Sequence, residues 1–336
     1  MDQSLSTWTG WCRVVLLSAG LIVLLLGCLA AGSGDAVHGE PVFDAGHAGF
    51  TVVFGNATLT HRVMAVFVMP GETIDVLVGT EGAGAGAAFV AEAGTTTPAG
   101  NGRWRWTVPA LPGLVKLRIE HRGSGGVMDL NAFVLVPRTR IRDGYLNGYH
   151  VGSYPTIPLK GMDIYMPPDG LVEVTAENEN TPVGPHFTLG QFVCKQQGGY
   201  PKYLVLRTRL IQKLELILTE INRRGVFCPT FEVMSGYRTP FYNKAIGNVK
   251  YSRHVWGGAA DIYVDAAPRD GVMDDLNGDG VFNVEDAGVL YEVIDELFGQ
   301  DDHERFVGGL GRYRKTEAHG PFVHVDVRGF RARWGD

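Results

Sequence analysis

The sequence predicts an all-β sandwich followed by an α+β domain, after an N-terminal export or anchor segment. The 336 residues are enough for about two domains, and the 46 glycines favour a loop-rich chain that contains strands over a helical bundle. Apolar residues alternate in the first half and follow helical spacing in the second. The hydrophobic content of 45% excludes general disorder, and scattered basic residues with a net charge of −6 exclude a nucleic-acid partner.

Residues 1–32 are predicted to be a signal peptide or a membrane anchor. The run Val14–Leu26 is almost wholly apolar, and its length of about 13 residues suits a signal-peptide core, whereas the stretch extended to Gly32 barely spans a bilayer. Leu25–Cys28 resembles a bacterial lipobox, in which Cys28 would carry a lipid. A lipoprotein, an uncleaved anchor and a secreted protein remain open. Each alternative predicts an exported bacterial protein of the periplasm or cell envelope, and the first two tether it to the membrane.

Residues 40–140 are predicted to form the sandwich. Short alternating apolar stretches, separated by Gly, Pro and Asn, are typical of strands in an all-β domain. Trp106–His121 looks like one edge of an immunoglobulin-like bacterial domain. Residues 141–158 are rich in Gly, Tyr and Pro and are interpreted as a linker. The predicted strands are Phe50–Phe54, Val63–Met69, Thr73–Val78, Trp104–Val108, Leu114–Glu120 and Leu130–Val136.

Residues 159–336 are predicted to form the α+β domain. Leu210, Leu214, Ile217 and Ile221 recur at helical spacing, and Gly225 follows as a stop signal. A strand is predicted after this helix, at 231–234. Helix and strand in one region, after an all-β region, favour the α+β class.

Two histidines and a carboxylate in this domain point to zinc. His254 and Asp261 stand in the pattern S-x-H-x-x-G-x-A-x-D, and His324 follows about 60 residues later. Imidazole nitrogen and carboxylate oxygen are good zinc ligands, and three protein ligands leave a fourth position for water. The set therefore predicts a catalytic zinc site. A single carboxylate keeps the metal centre Lewis acidic.

Four motifs in this region resemble the zinc D-Ala-D-Ala carboxypeptidase and murein endopeptidase superfamily, which includes Van-type dipeptidases and the hedgehog signalling domain. The resemblance covers about 185–334 and implies His254, Asp261 and His324 as zinc ligands. It also implies that Arg238 faces the substrate or the developing oxyanion, although this arginine could instead tie down its own loop. The motifs are Phe187–Cys194, Ser235–Asn243, Ser252–Asp261 and Phe322–Gly329.

The general base is not fixed by the resemblance. Several members place a carboxylate three residues before the last histidine ligand, and others place a histidine two residues before it; here these positions are Pro321 and Phe322. The remaining candidates are Asp326, on the same face as His324 if both lie on a strand, and Glu317. For either residue, the alternative role is to orient a ligand histidine.

A second metal signal lies in a predicted insertion at 274–298. Oxygen side chains occupy positions 1, 3, 5, 9 and 12 of a twelve-residue loop, and Gly280 stands at position 6. The loop resembles the dockerin variety of the EF-hand, and an amphipathic exiting helix follows it. A solvated turn that binds no ion is the alternative. The predicted calcium ligands are Asp275, Asn277, Asp279, Val281 through its carbonyl, Asn283 and Asp286.

The sequence therefore predicts an exported zinc peptidase that cleaves peptidoglycan stem peptides, with zinc and calcium as bound metals. A catalytically silent zinc-containing module that binds the cell wall is the alternative. Cys194 and Cys228 form either a disulfide or two separate buried thiols.

Overall fold

The computed structural model describes residues 42–79, 86–299 and 301–335. The predicted signal peptide or anchor at 1–32, with its lipobox at Leu25–Cys28, lies outside these residues. Within the described ranges, no helix is long and apolar enough to cross a membrane. Residues Phe43–Asp336 form one compact unit.

Two antiparallel-rich sheets make up the first part of this unit. One sheet has the order β2-β1-β4-β7-β6, and the other has the order β3-β9-β8-β5, in which β3 and β9 pair in parallel. The strands are β1 His47–Phe54, β2 Ala57–His61, β3 Val63–Val68, β4 Thr73–Val78, β5 Ala87–Ala91, β6 Thr95–Gly100, β7 Arg103–Thr107, β8 Gly113–His121 and β9 Gly126–Val134.

Side chains from both sheets share one core. Val52 and Trp106 of the first sheet and Leu117 and Leu130 of the second are almost completely buried in it. This arrangement agrees with a sandwich, while its immunoglobulin-like character stays a prediction. Each of the six predicted strands has a counterpart. Strand β6 was not predicted because its polar residues are all exposed, so no alternation marks it.

The segment 141–158, interpreted from its sequence as a linker, is folded against the second part of the unit. Strand β10 (Val136–Pro137) leads into a small hairpin of β11 (Tyr145–Leu146) and β12 (Tyr149–His150). Leu146, Tyr149, Val151 and Tyr154 are buried in a cluster with Trp256. The aromatic side chains fill this cluster without any regular spacing, so periodicity alone gave no sign of it.

The second part contains three helices and two further sheets. Strand β13 (Gly170–Val174) pairs with β10 on one side and with β14 (Lys202–Leu204) on the other. A five-stranded sheet has the order β15-β16-β18-β17-β19. In chain order the elements that follow β14 are α1 Thr208–Arg223, β15 Glu232–Ser235, α2 Pro240–Ala245, β16 Ala259–Tyr263, α3 Val284–Leu297, β17 Gly309–Tyr313, β18 Phe322–Asp326 and β19 Ala332–Gly335.

Helix α1 confirms the predicted helix and also joins the two parts. Leu210, Leu214 and Ile217 on its apolar face are fully buried. Gln212 donates a hydrogen bond from Nε2 to the Thr58 carbonyl of the sandwich at 2.6 Å. Such contacts mean that the sandwich and the α+β part share one packed interior.

Candidate metal centre

Strand register brings Asp261 and His324 together. Asp261 on β16 and His324 on β18 are directly opposite each other in an antiparallel pair. Directly opposite side chains on one face have Cβ atoms about 4.5–5.5 Å apart. Pairing therefore places two ligands that are distant in sequence at one point of the sheet.

His254 reaches the same point from a short 3-10 turn, Arg253–Trp256, which enters β16. Gly257 ends the turn in the left-handed conformation, with φ of 61°. A Cβ atom there would lie 2.1 Å from the Val205 carbonyl oxygen, so both the conformation and the space require glycine. This tight turn holds the histidine over the end of the strand.

The three predicted ligands form one buried cluster. His324 Nδ1 lies 2.8 Å from Asp261 Oδ1 and 3.2 Å from His254 Nε2, and His254 Nε2 lies 3.2 Å from the same carboxylate oxygen. Ligand atoms that share one zinc ion at bond lengths of about 2.0–2.2 Å lie roughly 3 Å apart. The spacing therefore fits a single small cation. Among the described residues, no other three His, Cys, Asp or Glu residues bring ligand atoms this close together.

The hydrogen bonds around the cluster indicate which ring nitrogens carry lone pairs. His254 Nδ1 donates to the Gly236 carbonyl at 2.6 Å, which leaves Nε2 as the acceptor. His324 Nε2 donates to Asp326 Oδ2 at 3.0 Å, which leaves Nδ1 as the acceptor. Two imidazole lone pairs and one carboxylate oxygen thus converge without a proton between them. This donor set suits zinc.

The electrostatics of the cluster favour a neutral His254 and an ionised Asp261, whereas they favour the protonated form of His324. Burial lowers the pKa of His254 and keeps the ring neutral. Burial acts to raise the pKa of Asp261, but the neighbouring His254 and His324 hold it well below its usual range. Burial also acts to lower the pKa of His324, yet the hydrogen bonds to Asp261 and Asp326 outweigh it and raise the pKa. Asp261 is therefore an ionised ligand.

Arg238 lies beside the cluster, as the sequence predicts. Its Nη2 donates to Asp261 Oδ2 at 2.6 Å, and its Nε donates to Ser235 Oγ at 2.8 Å. The guanidinium thus holds the second carboxylate oxygen of Asp261 and leaves Oδ1 for the metal. Its side chain is 12% exposed. The bond to Ser235 fits the interpretation in which Arg238 ties down its own loop, while its contact with the substrate or the oxyanion stays a prediction.

The placement of Asp326 does not fit its predicted role as general base. Its Oδ2 accepts from the outer nitrogen of His324, while Oδ1 accepts from the Gly309 amide at 2.7 Å and from Arg328 Nε at 2.9 Å. Asp326 is fully buried behind the imidazole. Although burial acts to raise its pKa, His324 and Arg328 hold the pKa well below the usual range. These contacts match the alternative weighed from sequence, in which Asp326 orients His324.

Glu317 lies on the exposed loop that precedes β18. Among the described residues, no hydrogen bond links this carboxylate to the three ligand atoms. In the part of the chain that the structure describes, Asp261 is the one carboxylate that contacts both His254 and His324 at the ligand nitrogens. The base role of Glu317 therefore stays a prediction.

The segment predicted to be a calcium loop folds as a loop that leads into helix α3. Asp275 Oδ1 accepts from the Gly278 amide at 2.7 Å, and Oδ2 accepts from the Gly280 amide at 2.7 Å. Asp286 Oδ1 accepts from the Leu276 amide, and Asn283 caps the helix through the Glu285 amide. The side-chain oxygen atoms thus accept hydrogen bonds from the loop's own backbone amides. The prediction of calcium binding depends on the sequence spacing alone.

Cys194 and Cys228 are free thiols, so the disulfide alternative is wrong. Cys194 and Cys228 are fully buried. Burial raises the pKa of Cys228 to about 12. The two residues sit in separate environments as small apolar side chains.

Sequence reasoning missed the residues that orient the ligands. The Gly236 carbonyl fixes the His254 ring, and Arg328 pairs with Asp326. Strand alternation offered a signal for Arg328, since it follows Asp326 by two residues. No sequence signal marks Gly236, because its contribution is a backbone carbonyl placed by the turn after β15.

The sheet thus carries a buried His–Asp–His cluster of the kind that can hold one metal ion. The family model described as Peptidase M15 matches residues 185–285, which contain Arg238, His254 and Asp261. This match supports the zinc D-Ala-D-Ala carboxypeptidase superfamily for the C-terminal region of the chain. No curated protein matches the chain.

Proposed function

We propose that this protein is an exported zinc peptidase that cleaves peptidoglycan stem peptides. The observation that carries the proposal is the convergence of His254 Nε2, Asp261 Oδ1 and His324 Nδ1 in a region matched by a peptidase family. These three atoms would hold the metal. When bound, zinc supplies Lewis-acid chemistry, which polarises a scissile carbonyl and lowers the pKa of water toward neutrality.

The chain's own residues prepare this site. The Gly236 carbonyl and the Asp326 carboxylate accept hydrogen bonds from the two imidazole rings. Each ring is thereby held in the tautomer that leaves a lone pair on its ligand nitrogen. Arg238 fixes the orientation of the Asp261 carboxylate and adds positive charge at the edge of the centre. Preorganised charge of this kind stabilises a developing oxyanion, because no reorganisation is needed during the reaction.

Digestion of purified muropeptides tests the proposal. The full chain, loaded with zinc, is incubated with pentapeptide-containing and cross-linked muropeptides, and product masses are read. Loss of a terminal D-alanine would define a carboxypeptidase, and separation of cross-linked peptides would define an endopeptidase. Complete resistance of both substrate types would contradict the proposal.

One observation favours the second function, which is that of a catalytically silent module that contains zinc and binds the cell wall. Among the described residues, no carboxylate other than the ligand Asp261 lies within hydrogen-bond distance of the three ligand atoms. Zinc-loaded protein that sediments with isolated peptidoglycan, yet hydrolyses no muropeptide, would establish this function.

The segment 1–32 supports export and a membrane tether, through either an uncleaved anchor or a lipid on Cys28. Fractionation of the producing cells tests the location. Metabolic labelling with a radioactive fatty acid tests the lipid, and a Cys28→Ala variant should lose the label if the lipobox functions.

The Asp275–Asp286 loop is proposed to bind calcium as a structural clamp on the insertion. The spacing of its oxygen atoms and the turn at Gly280, with φ of 79°, support this role. Because the loop lies between Asp261 and His324 in sequence, calcium would order the insertion and leave the chemistry to the zinc centre.

A further inference from the structure

A groove with a volume of about 560 Å³ lies along the hairpin β11–β12. The hairpin β11–β12, the loop 196–201 and the start of α2 form its walls. The loop from Gly236 to Phe241 connects the two sites, because Gly236 holds His254, Arg238 holds Asp261, and Phe241 lines the groove. One short loop thus joins the metal centre to the wall of the groove.

Aromatic rings dominate the groove. Tyr149, His150, Tyr200, Phe241 and Tyr242 line it, and the rings of Tyr200 and Phe241 are 44% and 39% exposed. Phe241 stacks on His150 with ring centroids 3.8 Å apart. Exposed rings of large residues in a concave site offer flat apolar faces to a ligand.

Amide side chains supply the polar contacts. Asn147, Gln196 and Gln197 also line the groove, and none of its described lining residues is Asp, Glu, Lys or Arg. Two charged side chains contact the lining only at Tyr200, where Glu179 accepts from the hydroxyl and the Lys202 ammonium lies 5.9 Å from the ring centroid. Because the lining side chains themselves give an ion no compensating partner, the groove favours a neutral ligand. Flat apolar faces combined with amide donors and acceptors match a neutral sugar, which has apolar ring faces and a rim of hydroxyl and acetamido groups.

The walls are fixed before any ligand arrives. Gln196 donates from Nε2 to the His150 carbonyl at 3.1 Å and accepts from Thr239 Oγ1 at 2.8 Å. The Phe241 amide donates to the Val151 carbonyl at 3.1 Å. Rigid walls reduce the entropy lost on binding, so a shallow groove can still hold an oligosaccharide.

We propose that this groove binds the N-acetylated glycan strand of peptidoglycan and thereby positions an attached stem peptide at the metal centre. The choice of this glycan rests on the proposed function, whereas the preference for a neutral sugar rests on the groove itself. The hairpin, placed by the segment 141–158, thus supplies part of the substrate site.

Isothermal titration of the zinc-loaded full chain in detergent with a β-1,4-linked tetramer of N-acetylglucosamine tests this proposal. Tyr200→Ala and Phe241→Ala should each weaken binding roughly tenfold, since each removes one stacking ring. Tyr200→Phe keeps the ring and should bind as the native protein does. Phe227→Ala is the matched control, because Phe227 is 48% exposed and does not line the groove.

Gln197→Ala gives a second route if either alanine variant of an aromatic residue fails to fold, because Gln197 is exposed and should also lose affinity. No binding of the tetramer, equal binding by all groove variants, or its displacement by a sugar-free stem peptide would overturn the proposal. Binding of the tetramer without hydrolysis of any muropeptide would support the groove and contradict the peptidase. Hydrolysis of muropeptides without binding of the tetramer would support the peptidase and contradict the groove.

Discussion

His324 is held between two carboxylates: its Nδ1 lies 2.8 Å from Asp261 Oδ1, and its Nε2 lies 3.0 Å from Asp326 Oδ2. The two ring nitrogens therefore have different tasks, one as a metal ligand and one as a donor that fixes the ring. This division separates residues that bind zinc from residues that orient a ligand, and each group has its own experimental signature.

The native full chain is expected to bind about one zinc ion, and His324→Ala should abolish this binding because it removes one of three ligands. Elemental analysis of the purified proteins measures the occupancy. His319→Ala, on the loop before β18, is the matched control and should keep its zinc. Unchanged zinc in the His324 variant would refute the ligand assignment.

Asp326→Asn should weaken zinc affinity by about 10–100-fold, because the carboxylate that orients His324 is lost. Competition with a chromophoric chelator measures the zinc dissociation constant. Asp295→Asn is the control, since Asp295 pairs with Arg331 and Arg333 away from the centre. If the Asp326 variant kept native zinc affinity and lost 10²–10⁴-fold in kcat, Asp326 would be the general base after all.

Glu317→Gln should change kcat by less than about threefold, because Glu317 is exposed and has no described contact with the ligand atoms. Steady-state hydrolysis of the muropeptide cleaved by the native protein measures kcat. Glu304→Gln, another exposed carboxylate, is the control. A loss of 10²–10⁴-fold at full zinc occupancy would instead assign the base to Glu317.

Calcium should raise the melting temperature of the native protein by about 5–10 °C at a hundredfold excess over its dissociation constant, since a ligand that binds only the folded state stabilises it. Zinc is held constant, and a calcium-selective chelator gives the reference. The double variant Asp275→Ala with Asp279→Ala should show no increment. Equal melting temperatures of the native protein with calcium and with chelator would mean that the loop is a solvated turn.

His61 should make stability depend on pH between about 6.5 and 4. Burial, with nearby His47 and His186, lowers the pKa of His61 to about 4, whereas the unfolded chain keeps a pKa of about 6.5. The unfolded state thus binds more protons in this window, and the free energy of unfolding falls by about 1–3 kcal/mol as the pH decreases.

Urea unfolding of the native protein and of His61→Gln across this pH range measures the effect. The variant should have a flatter pH dependence between 6.5 and 4, whatever its absolute stability. Parallel curves for the two proteins would show that His61 does not titrate differently in the folded state.

Much of the fold was predictable because the apolar residues follow regular spacing. The spacing of Leu210, Leu214 and Ile217 locates α1, and alternation locates six strands of the sandwich. The packing of 141–158 was not predictable, since Tyr149 and Tyr154 contact residues far along the chain without any period of their own. Long-range aromatic packing leaves no local pattern to detect.

The three residues of the cluster were predictable from residue type and motif, but the choice between the two roles weighed for Asp326 was not. Strand alternation correctly puts Asp326 on the same face as His324. The tautomer and the direction of the ring depend on the opposite strand, which brings Asp261 to Nδ1 and leaves Nε2 for Asp326. That arrangement requires strand register, which the sequence does not supply.

The pairing of β16 with β18 also has a consequence for how this protein can change. The chain leaves β16 after Tyr263 and returns at Phe322, so about 60 residues form what is topologically the loop of a wide hairpin. The entropy of closing such a loop rises only with the logarithm of its length, about 0.6 kcal/mol for each doubling. Residues can therefore be inserted or deleted in this connection while the two paired strands keep Asp261 and His324 in place. The connection is thus a tolerant site for acquiring an accessory element such as the Asp275–Asp286 loop.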